Sequence, residues 1–188
     1  MRAGGGHAKG AAWERDCGKQ ISLWLTHGER PDIMSRNVLS GGSFTNAEKA
    51  GKISSRMPGD IMAANPLAFR FLSRFSIECK HLKDIGMFQY MLDHRQQNPL
   101  AQIIALARRQ AKAIDCEFMV IAKQNRHDPI VLVDGAIGEH MMACMVRRGN
   151  RTMLHPMHHY LHKGSVCMLR FADMLSMIDP DLLLAERK

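Results

Sequence analysis

Apolar residues recur at helical spacing between Ala11 and His27, at Trp13, Cys17, Ile21, Trp24 and Leu25, and Gly28 supplies a natural stop. The spacing predicts a helix with one buried stripe. The character then changes. Asp32 to Leu39 alternates in the manner of a strand, and Ser40-Gly41-Gly42-Ser43 makes a small-residue turn. Thr45 to Pro58 is polar, carries Lys49, Lys52 and Arg56, and has no clear period, which predicts a long basic loop. Gly59 to Ala64 (GDIMAA) and Phe71 to Lys80 (FLSRFSIECK) read as two strands of a hairpin, with NPLAFR as the turn.

Pro99 to Ile114 predicts a helix, with proline in its first turn and an apolar stripe through Leu100, Ile103, Ile104 and Ala107. Arg108, Arg109 and Lys112 fall outside that stripe. Glu117 to Ala122 and Pro129 to Val133 are apolar runs around a polar turn and read as a strand pair. A short helix is expected from Ile137 to Arg147 and a strand from Ser165 to Phe171. The ending reads as helical, interrupted at Asp179-Pro180. Helix, strands, helix, strands is the order of an α/β domain with a central mixed sheet flanked by helices. We expect a flexible basic arm over residues 1–10 and a single domain over 11–188, with its core at about 11–134 and a C-terminal extension at 135–188.

Charge narrows the choice of partners. The 188 residues carry 26 Lys and Arg against 18 Asp and Glu, a net charge of +8, which favours polyanions such as nucleic acid. The five cysteines are scattered without CxxC spacing, and the N-terminal MRAGGGHAKG has no apolar core. Reduced thiols and a cytoplasmic location are the expectation. No apolar stretch approaches the length of a membrane span, so a membrane is not among the expected partners.

The chemistry centres on PGDIMA and SIECKH. Asp60 opens one strand, and Glu78 and Lys80 lie two apart on the next. A strand points residues i and i+2 to one face, so Glu78 and Lys80 project together while Ile77 and Cys79 face away. Two carboxylates brought close repel unless a cation lies between them. Mg²⁺ suits that role, taking one or two protein carboxylates with water and phosphate, and Mn²⁺ should substitute. Asp60, Glu78 and the main-chain carbonyl of Cys79 are the candidate ligands. An ammonium beside the ion, that of Lys80, can hold or activate the attacking water and stabilise charge on a phosphate. The alternative is an ordinary ion pair of Glu78 with Lys80 on a sheet edge and a turn role for Asp60.

The runs WERDCGKQISLWLTHGE, SRNVLSGGSFT, PGDI and FSIECKHLKD resemble the Holliday-junction-resolvase-like branch of the PD-(D/E)xK nucleases, which includes small phage and prophage enzymes. The resemblance covers about residues 9 to 134. It implies a restriction-endonuclease-like core, metal ligands at Asp60 and Glu78, a catalytic lysine at Lys80 and a helix glutamate at Glu14 that reaches the metal shell through water. It further implies DNA gripped by Arg36 and the Ser40 to Ser43 loop, and a homodimer acting on branched or duplex DNA. Lys49, Lys52, Arg56, His81, Lys83, Arg108 and Arg109 are further candidates for DNA contact.

Other features carry less. His155, His158, His159 and His162 invite zinc, but no paired CxxC accompanies them, and a histidine-rich surface turn touching phosphate fits better. Met141, Met142 and Met145 suit either the core or a subunit interface. Ser40 and Ser43 have no base at a useful spacing, which excludes nucleophilic serine chemistry. Two rival readings remain at this point: a non-catalytic nucleic-acid-binding protein that keeps a nuclease-like fold, and a zinc-stabilised phage structural protein. Cleavage of linear duplex or single strands is a further alternative to action on branched DNA.

Overall fold

The computed structural model describes residues 5–37, 59–87, 90, 98–147, 157–161 and 164–185. The chain divides into two compact units, one drawn from residues 1–79 and 107–118, the other from 80–106 and 119–188.

In the first unit, helix α1 (Gly5–Leu25) begins inside the stretch expected to be a flexible arm. Ala8, Ala11 and Ala12 favour helix and offset the glycines around them. Its predicted stripe is buried, with Cys17 and Ile21 fully so. The helix ends as the N–H of Gly28 bonds to Leu23 O and that of His27 to Trp24 O, with His27 itself in the left-handed region (φ 52°). This double closure satisfies carbonyls that the last turn would otherwise leave unpaired.

A second ridge of α1 lies along strand β1 (Met34–Arg36). Ser22 Oγ donates to Gly18 O at 2.7 Å and accepts from Met34 N at 3.0 Å. One turn earlier, a Cβ on Gly18 would stand 3.7 Å from both Met34 O and Ile61 Cδ1, at ordinary van der Waals distance, so helix and strand lie in close contact there. One turn earlier again, Glu14 pairs with Arg36. Positions four apart share one helix face, which is why these three residues meet one strand.

Strand β2 (Ile61–Ala63) corrects the hairpin expected from the sequence. It pairs antiparallel with β1, Ser35 opposite Met62, and not with the strand that follows it. The NPLAFR segment is helix α2 (Pro66–Leu72): Asn65 Oδ1 accepts from Ala68 N at 2.9 Å, and Pro66 sits in the first turn where no N–H is needed. Phe71 of α2 packs edge-on against Trp24 at 5.6 Å and against Phe75 at 5.0 Å, an aromatic cluster at the centre of this unit.

Strands β3 (Phe75–Leu82) and β4 (Glu117–Gln124) start in the first unit and finish in the second; helix α3 (Pro99–Lys112) connects them. The two strands run parallel. Glu117 N donates to Arg74 O at 2.8 Å where they begin, and Asn125 N donates to Leu82 O at 3.1 Å where they end. The remaining strands, β5 (Ile130–Asp134), β6 (Met157–Leu161) and β7 (Gly164–Arg170), complete a five-stranded sheet in the order β3-β4-β5-β7-β6. The pairs β4–β5, β5–β7 and β6–β7 are antiparallel, so the sheet is mixed. The fold is α/β, as the element order predicts, and matches a restriction-endonuclease-like core.

In the second unit, α4 (Gly135–Arg147) and α5 (Phe171–Met177) cover β5 and β7, and α6 (Pro180–Leu184) packs on α4. Gly138 lies so close to β7 that a Cβ there would fall 2.1 Å from Cys167 Cβ. Met141 and Met145 are buried within the chain, which is the core role of the two open to them. The expected histidine-rich surface turn is instead edge strand β6, with His158 opposite Cys167 and His159 opposite Val166. His155 and His162 lie outside the described residues. Among the described residues no helix is long and apolar enough to cross a membrane.

Candidate active site

Strand β3 is the terminal strand of its sheet, and such an edge exposes main-chain groups that need partners. Its even-numbered residues face β4, as the bonds at Arg74 and Leu82 show. The groups of Ile77 and Cys79 therefore point the other way, and Asp60 takes both. Asp60 N donates to Ile77 O at 2.7 Å, and Asp60 Oδ2 accepts from Cys79 N at 2.8 Å. The carboxylate thus completes a ladder position with a side chain, which explains an aspartate only 6% exposed.

Gly59 makes the approach possible. Its φ of +107° is a conformation that L side chains rarely adopt, and a Cβ would stand 2.7 Å from Ile77 O. Glycine before Asp60 is thus required twice, by backbone shape and by space.

On β3, Ile77 and Cys79 are buried while Glu78 between them is half-buried, as strand alternation predicts. Lys80 follows Glu78 by two residues on the same strand and is also half-buried. The Cys79 thiol meets that of Cys17 on α1. The hydrogen bond with Cys17 pushes its pKa well above the ordinary thiol range, burial adds to this, and the negative charges of Cys17, Asp60 and Glu78 contribute further. All five cysteines are free.

Glu14 and Arg36, assigned separate tasks from the sequence, form one half-buried ion pair, with Arg36 Nε donating to Glu14 Oε2. Sequence reasoning missed Asn37. Its main-chain N–H donates to Asp60 O at 2.8 Å, extending the β1–β2 ladder by one pair, and its side-chain Nδ2 donates to Gly59 O at 3.0 Å. The only available signal was its place after Arg36 in a strand-like run, which does not reveal the partner.

Of the other expected DNA contacts, Lys83 and Arg109 are exposed and His81 is half-buried. Arg108 is half-buried, with its guanidinium 5.1 Å above the Phe118 ring, a stacked arrangement that its place outside the apolar stripe did not suggest. Ser40, Ser43, Lys49, Lys52 and Arg56 lie outside the described residues.

The donor set fits a hard divalent cation. The groups expected from the sequence, the Asp60 and Glu78 carboxylates and the Cys79 carbonyl, would offer oxygen donors, the type that Mg²⁺ and Mn²⁺ prefer. The Asp60 carboxylate is already oriented by a main-chain donor, so little ordering is left for binding to impose.

Residues 5–184 match the model of a family described as "Phage putative PDDEXK endonuclease". No curated protein and no solved structure matches the chain.

Proposed function

The chain belongs to the phage PDDEXK endonuclease family, and on that premise we propose that it hydrolyses DNA phosphodiesters with Mg²⁺ or Mn²⁺ held by Asp60, Glu78 and the Cys79 carbonyl. The observation that carries this reading is the Asp60 carboxylate locked onto Cys79 N, in the strand that bears Glu78 and Lys80. When bound, the cation supplies Lewis acidity to the phosphate and lowers the pKa of a coordinated water.

The protein's own groups do the rest. Asp60 and Glu78 present charge at an orientation set by β3. Lys80 holds the attacking water and meets negative charge as it develops on the phosphate; a compact ammonium suits this better than a guanidinium. Arg36, its guanidinium steadied by Glu14, faces the DNA backbone, and Glu14 in turn supports the metal shell through water. Lys49, Lys52, Arg56, Ser40 and Ser43, with His81, Lys83, Arg108 and Arg109, supply further backbone contacts.

The substrate we propose is branched DNA, cut by a homodimer in the host cytoplasm, with residues 11–188 acting as one nuclease domain. A four-way junction offers two strands of near-equivalent geometry, and a two-fold dimer offers two equivalent sites. The test is a cleavage panel of four-way junction, flap, linear duplex and single strand, with Mg²⁺, Mn²⁺, Ca²⁺ and EDTA, alongside sedimentation. Metal-dependent cutting that prefers the junction, by a dimer, is the expected result. No cutting on any substrate would leave only a binding role. A monomer that cuts duplex as readily as junction would keep the nuclease chemistry and discard junction resolution.

A further inference from the structure

We infer that Asn37 is a positioning residue that sets the aim of the Asp60 carboxylate, an inference that rests on the metal site proposed above. The peptide unit between Gly59 and Asp60 carries Gly59 O at one end and Asp60 N at the other. Asn37 Nδ2 donates to the first at 3.0 Å, and Ile77 O accepts from the second at 2.7 Å. That peptide plane is therefore pinned from both sides, by the Asn37 side chain and by β3. The next carbonyl, Asp60 O, accepts from Asn37 N at 2.8 Å.

The pinning matters because of what precedes Asp60. Glycine has the widest backbone freedom of any residue, and Gly59 sits at φ +107°. Rotation of the plane after it would swing the Asp60 Cα–Cβ bond and carry the carboxylate off the Cys79 N–H. Asn37 opposes that rotation at the end that β3 does not hold. Gly59 O can only accept, which fixes the Asn37 amide with its nitrogen toward the glycine. Both of these Asn37 bonds go to main-chain oxygens, those of Gly59 and Asp60. The action of Asn37 on the site passes through Asp60, as groups that orient metal ligands act elsewhere.

Asn37→Ala removes the side-chain donor and leaves the main-chain bond to Asp60 O. Mn²⁺ titration followed by electron paramagnetic resonance, at a temperature where circular dichroism shows each protein folded, reads the site without any cleavage. Wild-type protein should bind Mn²⁺, Asp60→Asn should bind it far more weakly, and Asn37→Ala should bind roughly 10- to 100-fold more weakly than wild type. Asn37→Ser, too short to reach Gly59 O, should behave as Asn37→Ala does and serves if the alanine variant does not fold. Wild-type Mn²⁺ affinity in a folded Asn37 variant would overturn the inference while leaving the metal site intact. Failure of both variants to fold would also overturn it, by assigning Asn37 to the fold and not to the site. Equal Mn²⁺ binding by wild type and Asp60→Asn would remove the metal-site reading itself, and the role of Asn37 with it.

Discussion

The main-chain N–H of Cys79 donates to the Asp60 carboxylate at 2.8 Å, so the most buried aspartate among the described residues is held by the residue next to Glu78. A carboxylate that closes the edge of a strand cannot wander. Its second oxygen has a direction set by the first, and preorganisation of this kind lowers what a bound cation must order. The same bond gives β3 a partner on the edge away from β4. Asp60 N, which donates to Ile77 O at 2.7 Å, holds the same edge beside it.

Asp60→Asn keeps an oxygen that can accept from Cys79 N, so the fold should survive the change. The charge does not survive. Cleavage by Asp60→Asn, and by Glu78→Gln, should fall roughly a hundredfold or more, with melting temperatures close to wild type. Near-normal cutting by either purified variant would remove that residue from the metal site.

Lys80→Ala should lose most of kcat while Mn²⁺ affinity stays within a few-fold of wild type. Lys80→Arg should not restore turnover, because a guanidinium is bulkier and does not give up its proton. Single-turnover rates at saturating metal make the comparison. Full activity in the arginine variant would reduce Lys80 to a generic positive charge.

Gly59→Ala should destabilise the protein by about 1–3 kcal/mol, since it combines an unfavourable φ with a Cβ pressed on main-chain atoms of Ile77. Gly28→Ala is the control. Gly28 also has a positive φ, +95°, but nothing lies within 4 Å of its would-be Cβ, so it meets only the conformational cost. Urea unfolding should rank Gly59→Ala as the more damaging change, and an equal effect would mean that the contact with Ile77 is unimportant.

Burial pushes the Cys167 thiol up to about 11, with a smaller contribution from Glu139. A raised thiol pKa favours the protonated form in the folded state. Its contribution to stability is fully present below the unfolded value, near 9, and is lost as pH rises through about 11. The melting temperature should therefore decline over that window, and Cys167→Ala should flatten the decline. An identical pH profile in the variant would show that other groups govern alkaline unfolding.

Much of the fold was legible because it is written in local periodicity. The buried stripe of α1, the proline-led α3, the β4–β5 pair and the break at Asp179-Pro180 each depend on residues within a few positions of one another. The Asn65-Pro66 start of α2 was equally local: a side-chain acceptor followed by proline is a helix entry. The helix spans only seven residues, Pro66–Leu72, too few to show a clear helical period beside the strand-like runs around it. The strand Met157–Leu161 was not legible, because its five residues, MHHYL, carry no two-residue period, and its place is set by pairing with β7.

The sequence by itself determined that Glu78 and Lys80 share a strand, that Ile77 and Cys79 turn inward, and that a mixed sheet with helices follows from the order of elements. Those outcomes rest on the two-residue period of a strand and need no distant partner. Only the tertiary structure decided that β2 joins β1, that Asp60 reaches β3 through its side chain, and that Glu14 finds Arg36 across a gap of 22 positions. Strand edges are chemically alike, each a row of N–H and C=O groups, so pairing is settled by which surfaces can approach closely. Gly59 is one place where such an approach depends on the residue type, since the chain turns onto Ile77 with no room for a Cβ.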